Sequence, residues 1–302
     1  MSYDVIIIGG GPAGLTCAIF LGRYRLRVLL LDDHRPRNAP ARAIHGFLGY
    51  HAIAPAELRK RGRDEAEYSG VELRDAKVAK IERNGDLFDV TLDGTNECVR
   101  ARRIVLAYGV CDTLPDIPEF ESYYGITAHH CPDCDGYESR EQRIGVIGWG
   151  KSVVGLSLEL LQWSDDVVIF THGQERDWDE EQRSKLLAEQ IAVKDEKIVA
   201  LTGKEGVIEA AVLDTGERVP VQRLFFTIKV ERSTTLAEDL GCEVDPQKPN
   251  VVVDEHRQTT VEGVYAVGDL AAGSQLAITA AADGAIAAIA IHKSLLPPGR
   301  VV

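Results

Sequence analysis

Two thiols two residues apart, with imidazoles before them and acids among them, have the makings of a redox centre. The segment His129-His130-Cys131-Pro132-Asp133-Cys134-Asp135-Gly136 offers this arrangement. Cys131 and Cys134 can close a small disulfide, and once it is reduced one sulfur can be held as a thiolate while the other exchanges with a substrate sulfur. His129 and His130 add acid–base chemistry near neutral pH, although each is equally well read as a satisfied core or loop imidazole. A zinc site built from the two cysteines and a histidine is the structural alternative; such sites need a second ligand pair at short spacing, and the sequence shows none. Of the six cysteines, Cys17, Cys98, Cys111 and Cys242 read as packing residues, with Cys111 the one to check for reactivity.

A second constellation lies at the N-terminus. Gly9, Gly11 and Gly14 have dinucleotide spacing, with Gly10, Pro12 and Ala13 between them. The first glycine allows the tight turn, the second the approach of a pyrophosphate and the third close helix packing, while the free amides of the helix face the phosphates. Asp32 follows at the end of the next strand, where a carboxylate accepts from a ribose diol, with Asp33 beside it. Ala107-Tyr108-Gly109, after a strand at 104–106, and Gly268-Asp269, after a strand beginning at Val264, add a backbone turn and a carboxylate suited to a ribityl chain, which favours FAD over NAD.

These residues need a scaffold. Residues 3–8, 9–14, 15–24 and 27–31 read strand, glycine turn, helix, strand, and the order repeats at 144–147, 148–150, 152–163 and 167–170. The fold class is therefore α/β, with two Rossmann-like nucleotide-binding domains. Between the two units, 71–99 alternates around Asn84-Gly85 and Asp93-Gly94 and reads as an antiparallel meander, giving the three-layer ββα type. Polar or proline-bearing stretches at 114–118 and 229–235 bracket the second unit, and the strand near Val264 returns to the first. The expected division is 1–113 and 232–302 for the FAD-binding domain, with 114–231 inserted and carrying the cysteines.

A chain of 302 residues is long enough for two such cores. Its formal net charge of −13 argues against nucleic acid and anionic membrane surfaces as partners. No basic residue precedes the apolar run at 5–8, so a signal peptide is not expected, and residues 276–291 read as too short and too weakly apolar to span a bilayer. A cytoplasmic location is the expectation.

With these motifs in place, the chain resembles the low-molecular-weight thioredoxin reductases from about residue 3 to about residue 296. The stretches Pro36-Arg37-Asn38-Ala39, Cys131-Pro132-Asp133-Cys134-Asp135-Gly136 and Gln162-Trp163-Ser164-Asp165-Asp166 look closest to the branch of gliotoxin-type dithiol oxidases. The resemblance implies FAD held by Gly9, Gly11, Gly14, Asp32, Gly268 and Asp269, with Arg37 and Asn38 in contact and Gln275, Leu276 and Ala277 presenting amides to the flavin. It implies that Cys134 is the flavin-side thiol, Cys131 the exchanging one and Asp135 the proton-handling acid, in a homodimer whose domains rotate. A thioredoxin-like protein or a small dithiol or disulfide is the implied substrate.

The electron source is where the sequence departs from that family. In the second turn Trp149 stands between Gly148 and Gly150, and Val153 occupies the third position, where glycine or alanine is expected. The next strand ends Phe170-Thr171-His172-Gly173, without an arginine pair for NADPH or an acid for NADH, and Asp177, Asp179, Glu180 and Glu181 repel phosphate. NADPH use is therefore doubtful; the alternative is that Arg176 and His172 serve less well, and another nucleotide, for instance a second flavin, could stack on Trp149. Arg35, Arg37, Arg42, Arg59, Lys60, Arg61 and Arg63, set against Glu57 alone, could dock an acidic ferredoxin as donor or simply form a solvated face around FAD contacts. Three functions follow: a disulfide reductase with ferredoxin or another donor, a small-molecule dithiol oxidase passing electrons to oxygen, and a flavin-bound sensor without turnover.

Overall fold

The computed structural model describes residues 2–95, 97–227, 229–271, 273–297 and 299–300. They form two compact units, one of residues 1–39, 46–111 and 230–302, the other of 40–45 and 112–229.

The first unit opens with β1 (Tyr3–Ile8), α1 (Pro12–Arg23), β2 (Val28–Asp32), α2 (Pro55–Tyr68), β3 (Glu72–Asp75), β4 (Val78–Asn84), β5 (Leu87–Leu92), β6 (Cys98–Leu106) and β7 (Val110–Thr113). From Val5 to Ile8, β1 is an uninterrupted apolar run because it lies mid-sheet with both faces covered. Val5 and Ile7 pack with α1, whereas Ile6 and Ile8 pack with Ile81, Phe88 and Val90 of the antiparallel strands. β1 pairs in parallel with β2 and with the end of β6. The meander expected over 71–99 is confined to β4, β5 and β6, because β3 pairs in parallel with β2, Leu29 against Glu72. The helix α2 between β2 and β3 makes that connection a crossover, which returns a strand in parallel orientation.

In the second unit β8 (Ala128–His129), α3 (Pro132–Asp135), β9 (Ile144–Ile147), α4 (Lys151–Leu160), β10 (Val167–Phe170), α5 (Glu180–Ala188) and β11 (Ala192–Lys194) are followed by β12 (Ile198–Lys204), β13 (Val207–Leu213), β14 (Arg218–Pro220) and β15 (Arg223–Phe226). A parallel sheet runs β11-β10-β9-β15-β8, and β12-β13-β14 form a separate antiparallel sheet. The segment Pro40–His45, expected in the first domain, belongs to this unit. Arg42 donates its backbone N–H to the Gly125 carbonyl at 3.3 Å and its guanidinium to the Glu205 carbonyl at 3.0 Å. Main-chain acceptors of this kind leave no mark in the sequence.

The chain returns through β16 (Lys229–Arg232), which pairs with β7, then α6 (Leu236–Asp239), β17 (Val264–Ala266) and α7 (Ala277–Leu295). β17 joins the first sheet beside β6, Val264 against Ile104. The stretch expected to be too short to span a bilayer is a 19-residue helix, long and apolar enough by composition to cross one. Its Ala287, Ala288 and Ile291 are buried in the core shared with α1. At Gly284 a side chain would start 2.1 Å from the Ala13 carbonyl oxygen, so only glycine permits this helix contact.

Candidate active site

Cys131 and Cys134 are joined as a disulfide with their Cα atoms 5.3 Å apart. Cys131 caps the single turn α3, and its sulfur accepts the backbone N–H of Cys134 at 3.1 Å. A donor aimed at that sulfur favours its anionic form once the disulfide is opened. Gly136 closes the motif for a steric reason: a Cβ there would lie 2.6 Å from the Pro132 carbonyl oxygen and 2.7 Å from the Trp163 ring. Trp163, whose role was not legible in the sequence, is thus the platform against which the cysteine turn is set.

Both histidines stand beside acids. His129 is buried on β8, with Phe225 as its register partner on β15, and its Nδ1 lies 3.3 Å from Oδ2 of Asp135. Ser139 donates its hydroxyl to the Asp135 carbonyl at 2.8 Å, which fixes the residue that carries the acid. Arg223 is held below the usual arginine range by burial, opposed by the charge of Asp135. On the other side, Tyr124 donates to Asp112 at 2.6 Å and lies 3.3 Å from His130 Nδ1. Asp112 and Tyr124 were missed by sequence reasoning because they sit 18 and 6 residues before His130 in segments without periodic pattern. Among the described residues, no group of three or more His, Cys, Asp or Glu side chains is placed to hold a metal.

Of the other cysteines, Cys17 and Cys242 are buried, and burial pushes both thiols up. Cys98 and Cys111, expected to be packing residues, are exposed. Cys98 opens β6 at its solvent-facing end, and Cys111 lies on the short β7.

The first glycine turn has the form a dinucleotide needs. Gly9 has φ +111°, and a Cβ on it would lie 2.3 Å from the Ala107 carbonyl oxygen; one on Gly14 would lie 2.0 Å from the Gly9 carbonyl oxygen. Gly11 caps α1 with open space where a side chain would be, and Pro12 is the first helical residue. The amides at this end of α1 are thus open to a pyrophosphate. Asp32 is buried at the end of β2 and close enough to Gly10 that a Cβ there would lie 2.2 Å from Oδ2. Gly268, at φ +71°, abuts Ala13 from the returning chain.

Arg37 donates to Asp269 at 2.8 Å and to Gln275 at 2.7 Å, uniting three expected binding residues that lie far apart in sequence. Leu276 caps α7, Ala277 opens it, and Asn38 is half-buried next to Arg37. Gly109, at φ +67°, continues the turn that Ala107 begins. Asp33 is not brought into the cluster; it is exposed, 4.0 Å from Arg35.

The second turn is different. The backbone N–H of Asp177 donates to the Trp149 carbonyl at 3.0 Å, and the Trp178 indole donates to the Gly150 carbonyl at 3.2 Å, so the chain after β10 folds over the turn. Val153 is fully buried and its side chain packs 3.1 Å from where a Gly148 Cβ would be. Both basic residues put forward for a 2′-phosphate have partners within their own unit. Arg176 is paired with Asp195 through both its Nε and a terminal nitrogen and lies over the Trp178 ring. His172 is buried and accepts the Ile198 N–H at Nδ1. Burial, with the charge of Lys197 added, holds its pKa below the usual histidine value. Trp149 itself remains exposed.

The basic stretch is equally committed. Lys60 pairs with Asp64 and Arg61 with Glu57 along α2, while Arg59 and Arg63 turn onto Asp32. With Arg37 and Arg42 also engaged inside their own units, little of the excess charge read from the sequence is left for a docking face.

A family model described as pyridine nucleotide-disulphide oxidoreductase matches residues 3–284. A probable thioredoxin reductase of Arthroderma benhamiae is 29% identical, over 97% of this chain and 80% of its own length. The crystal structure of HlmI is 35% identical with a TM-score of 0.92, covering 97% of this chain and 92% of that one. That of a putative thioredoxin reductase TrxB from Bacillus anthracis is 30% identical with a TM-score of 0.91, covering 97% and 98%. Matched over nearly its whole length and sharing the two-domain α/β fold, this chain belongs to the pyridine nucleotide-disulphide oxidoreductase family and is an FAD-dependent disulfide oxidoreductase of the thioredoxin reductase type.

Proposed function

We propose that this enzyme exchanges electron pairs between FAD and the Cys131–Cys134 disulfide without NADPH, and that it works as a dithiol oxidase. The observation that carries this reading is the second glycine turn: its carbonyls are taken by Asp177 and Trp178, and Arg176 is paired with Asp195. A dithiol brings its own electrons and needs no nucleotide.

In this reading a substrate thiolate attacks Sγ of Cys131, the S–S bond breaks and Cys134 leaves as the thiolate. The second substrate thiol, on losing its proton, displaces Cys131 and completes the substrate disulfide. Two electrons and the released protons then reside on the cysteine pair and its surroundings, with Asp135 and His129 taking and returning a proton. The Gly9–Gly14 turn, Asp32, Arg37, Asp269 and Gln275 would hold FAD, which would supply a two-electron acceptor for the reduced cysteine pair, with oxygen as the final oxidant.

Relatives named thioredoxin reductases favour a second reading, reduction of a thioredoxin-like protein by electrons from another donor such as ferredoxin. Anaerobic flavin absorbance tests both. Bleaching by a dithiol but not by NADPH or NADH, with peroxide formed on admitting air, supports the oxidase; bleaching by NADPH overturns the reading. Bleaching only by reduced ferredoxin, with electrons passed to thioredoxin, selects the reductase.

A further inference from the structure

We propose that Arg59 is a positioning residue for FAD: it locks the Asp32 carboxylate in place for the adenosine ribose and screens its charge from the pyrophosphate. The inference rests on the assignment of FAD to the first glycine turn. Arg59 makes three contacts: Nε to the Gly10 carbonyl oxygen at 3.2 Å, and one terminal nitrogen to Asp32 Oδ2 at 2.6 Å and to His34 Nδ1 at 3.3 Å. It therefore ties the phosphate-binding turn to the ribose-binding acid, and its side chain is itself largely buried.

The rest of the cluster has the same purpose. Arg63 reaches Asp32 Oδ2 at 3.3 Å and Asp75 at 2.8 Å, and His34 donates its backbone N–H to Asp32 Oδ1 at 3.2 Å. His34 Nε2 in turn lies 2.7 Å from Asp75. A cavity of about 310 Å³ opens on this cluster, with His34, Arg59 and Arg63 in its wall.

The physical need is plain. A buried carboxylate beside a turn built to receive two phosphates would repel its ligand and be costly to desolvate. A planar guanidinium answers both problems while fixing the carboxylate in one orientation, because its donors lie in a rigid fork, whereas a lysine ammonium is a point charge on a flexible stem. Four turns of helix are thus set so that one face of α2, basic at 59 and 63, serves the dinucleotide, whereas Lys60 and Arg61 pair along its surface.

The test compares FAD with FMN, which lacks the adenosine ribose, on refolded or deflavinated protein, following flavin fluorescence and the thermal midpoint of the apoprotein. Arg59→Ala is expected to weaken FAD about tenfold to a hundredfold, the range for a charge-assisted hydrogen bond, and to leave FMN affinity unchanged. Asp32→Ala loses the same FAD preference, and Arg61→Ala keeps it. A purely structural role for Arg59 would lower the apoprotein midpoint and leave the FAD-to-FMN ratio of the folded fraction at its wild-type value, which overturns the proposal. If Arg59→Ala does not fold, Arg59→Lys decides: an intermediate ratio supports the clamp, and a wild-type ratio overturns it. If Asp32→Ala also binds FAD as tightly as wild type, the placement of FAD on the first turn fails, a result distinct from loss of the Arg59 effect alone.

Discussion

Trp178 donates its indole N–H to the carbonyl oxygen of Gly150, so the second glycine turn is capped by a residue of its own chain. The Trp178 side chain is almost fully buried, and Arg176 lies over its ring. Trp178→Ala is expected to cost about 3–5 kcal/mol of stability, the range for truncating a buried aromatic. Calorimetry should show the lowered midpoint. Flavin absorbance should show that NADPH still fails to bleach the variant, because Val153 and the Arg176–Asp195 pair remain.

Asp135→Asn keeps the shape of the acid and removes its ability to take a proton. Turnover with a dithiol is expected to fall roughly 10²- to 10⁴-fold, the usual contribution of a positioned acid–base group. FAD content and the disulfide should be intact by absorbance and thiol titration. His129→Gln, which retains polarity beside Asp135 but cannot carry charge, should slow the same step by a smaller factor and alter the pH profile of the dithiol half-reaction.

Gly136→Ala places a methyl group where the Pro132 carbonyl and the Trp163 ring already lie. Overpacking of this kind costs about 1–3 kcal/mol. The thermal midpoint should drop, and the rate of disulfide reduction by an external thiol should rise as the cysteine turn is displaced. Combining it with Trp163→Leu should return part of the stability, since the obstructing ring is gone.

His172 gives a pH dependence whose sign is fixed by its burial. Its folded-state pKa lies below the ordinary value of about 6.5, so the unfolded chain binds the proton more readily and stability rises with pH across the interval between the two values. Acidification below about pH 7 should therefore erode stability until the folded-state value is passed. His172→Asn tolerates the positive φ of 54° and can still accept the Ile198 N–H, yet does not titrate. Thermal midpoints measured from pH 5 to 8 should fall less steeply on the acid side in this variant than in wild type.

Much of the architecture was legible because it rests on short-range rules. The continuous apolar run Val5-Ile6-Ile7-Ile8 ahead of three glycines, and its echo at 144–150, suffice for two α/β units. What was hidden depended on long-range contacts between main-chain atoms. Nothing in Pro40–His45 announces that Gly125 and Glu205 offer it carbonyls, and nothing in β3 says which neighbour it will pair with. The basic run at 35–63 shows the limit from the other side. Charge counted along the chain looked like a surface, but Arg59 and Arg63, four residues apart and so on one helix face, meet a buried acid, while Lys60 and Arg61 point elsewhere. The eroded second turn was visible residue by residue in Trp149 and Val153; its closure by Trp178 was not.

The return of β17 to β6 and of α7 to α1 also orders events during synthesis. Residues 112–229 can complete their own core while still near the ribosome, whereas the first unit, though begun earlier, lacks a strand and a helix until 264–295 have emerged. Gly268, Asp269 and Gln275 arrive with that last segment, so the flavin site is finished only after the cysteine-bearing unit has had time to fold. A nascent chain stalled before residue 264 would carry a folded cysteine-bearing unit and an unfinished first sheet, exposing the apolar faces of Val105 and Ile104 to chaperones until translation resumes.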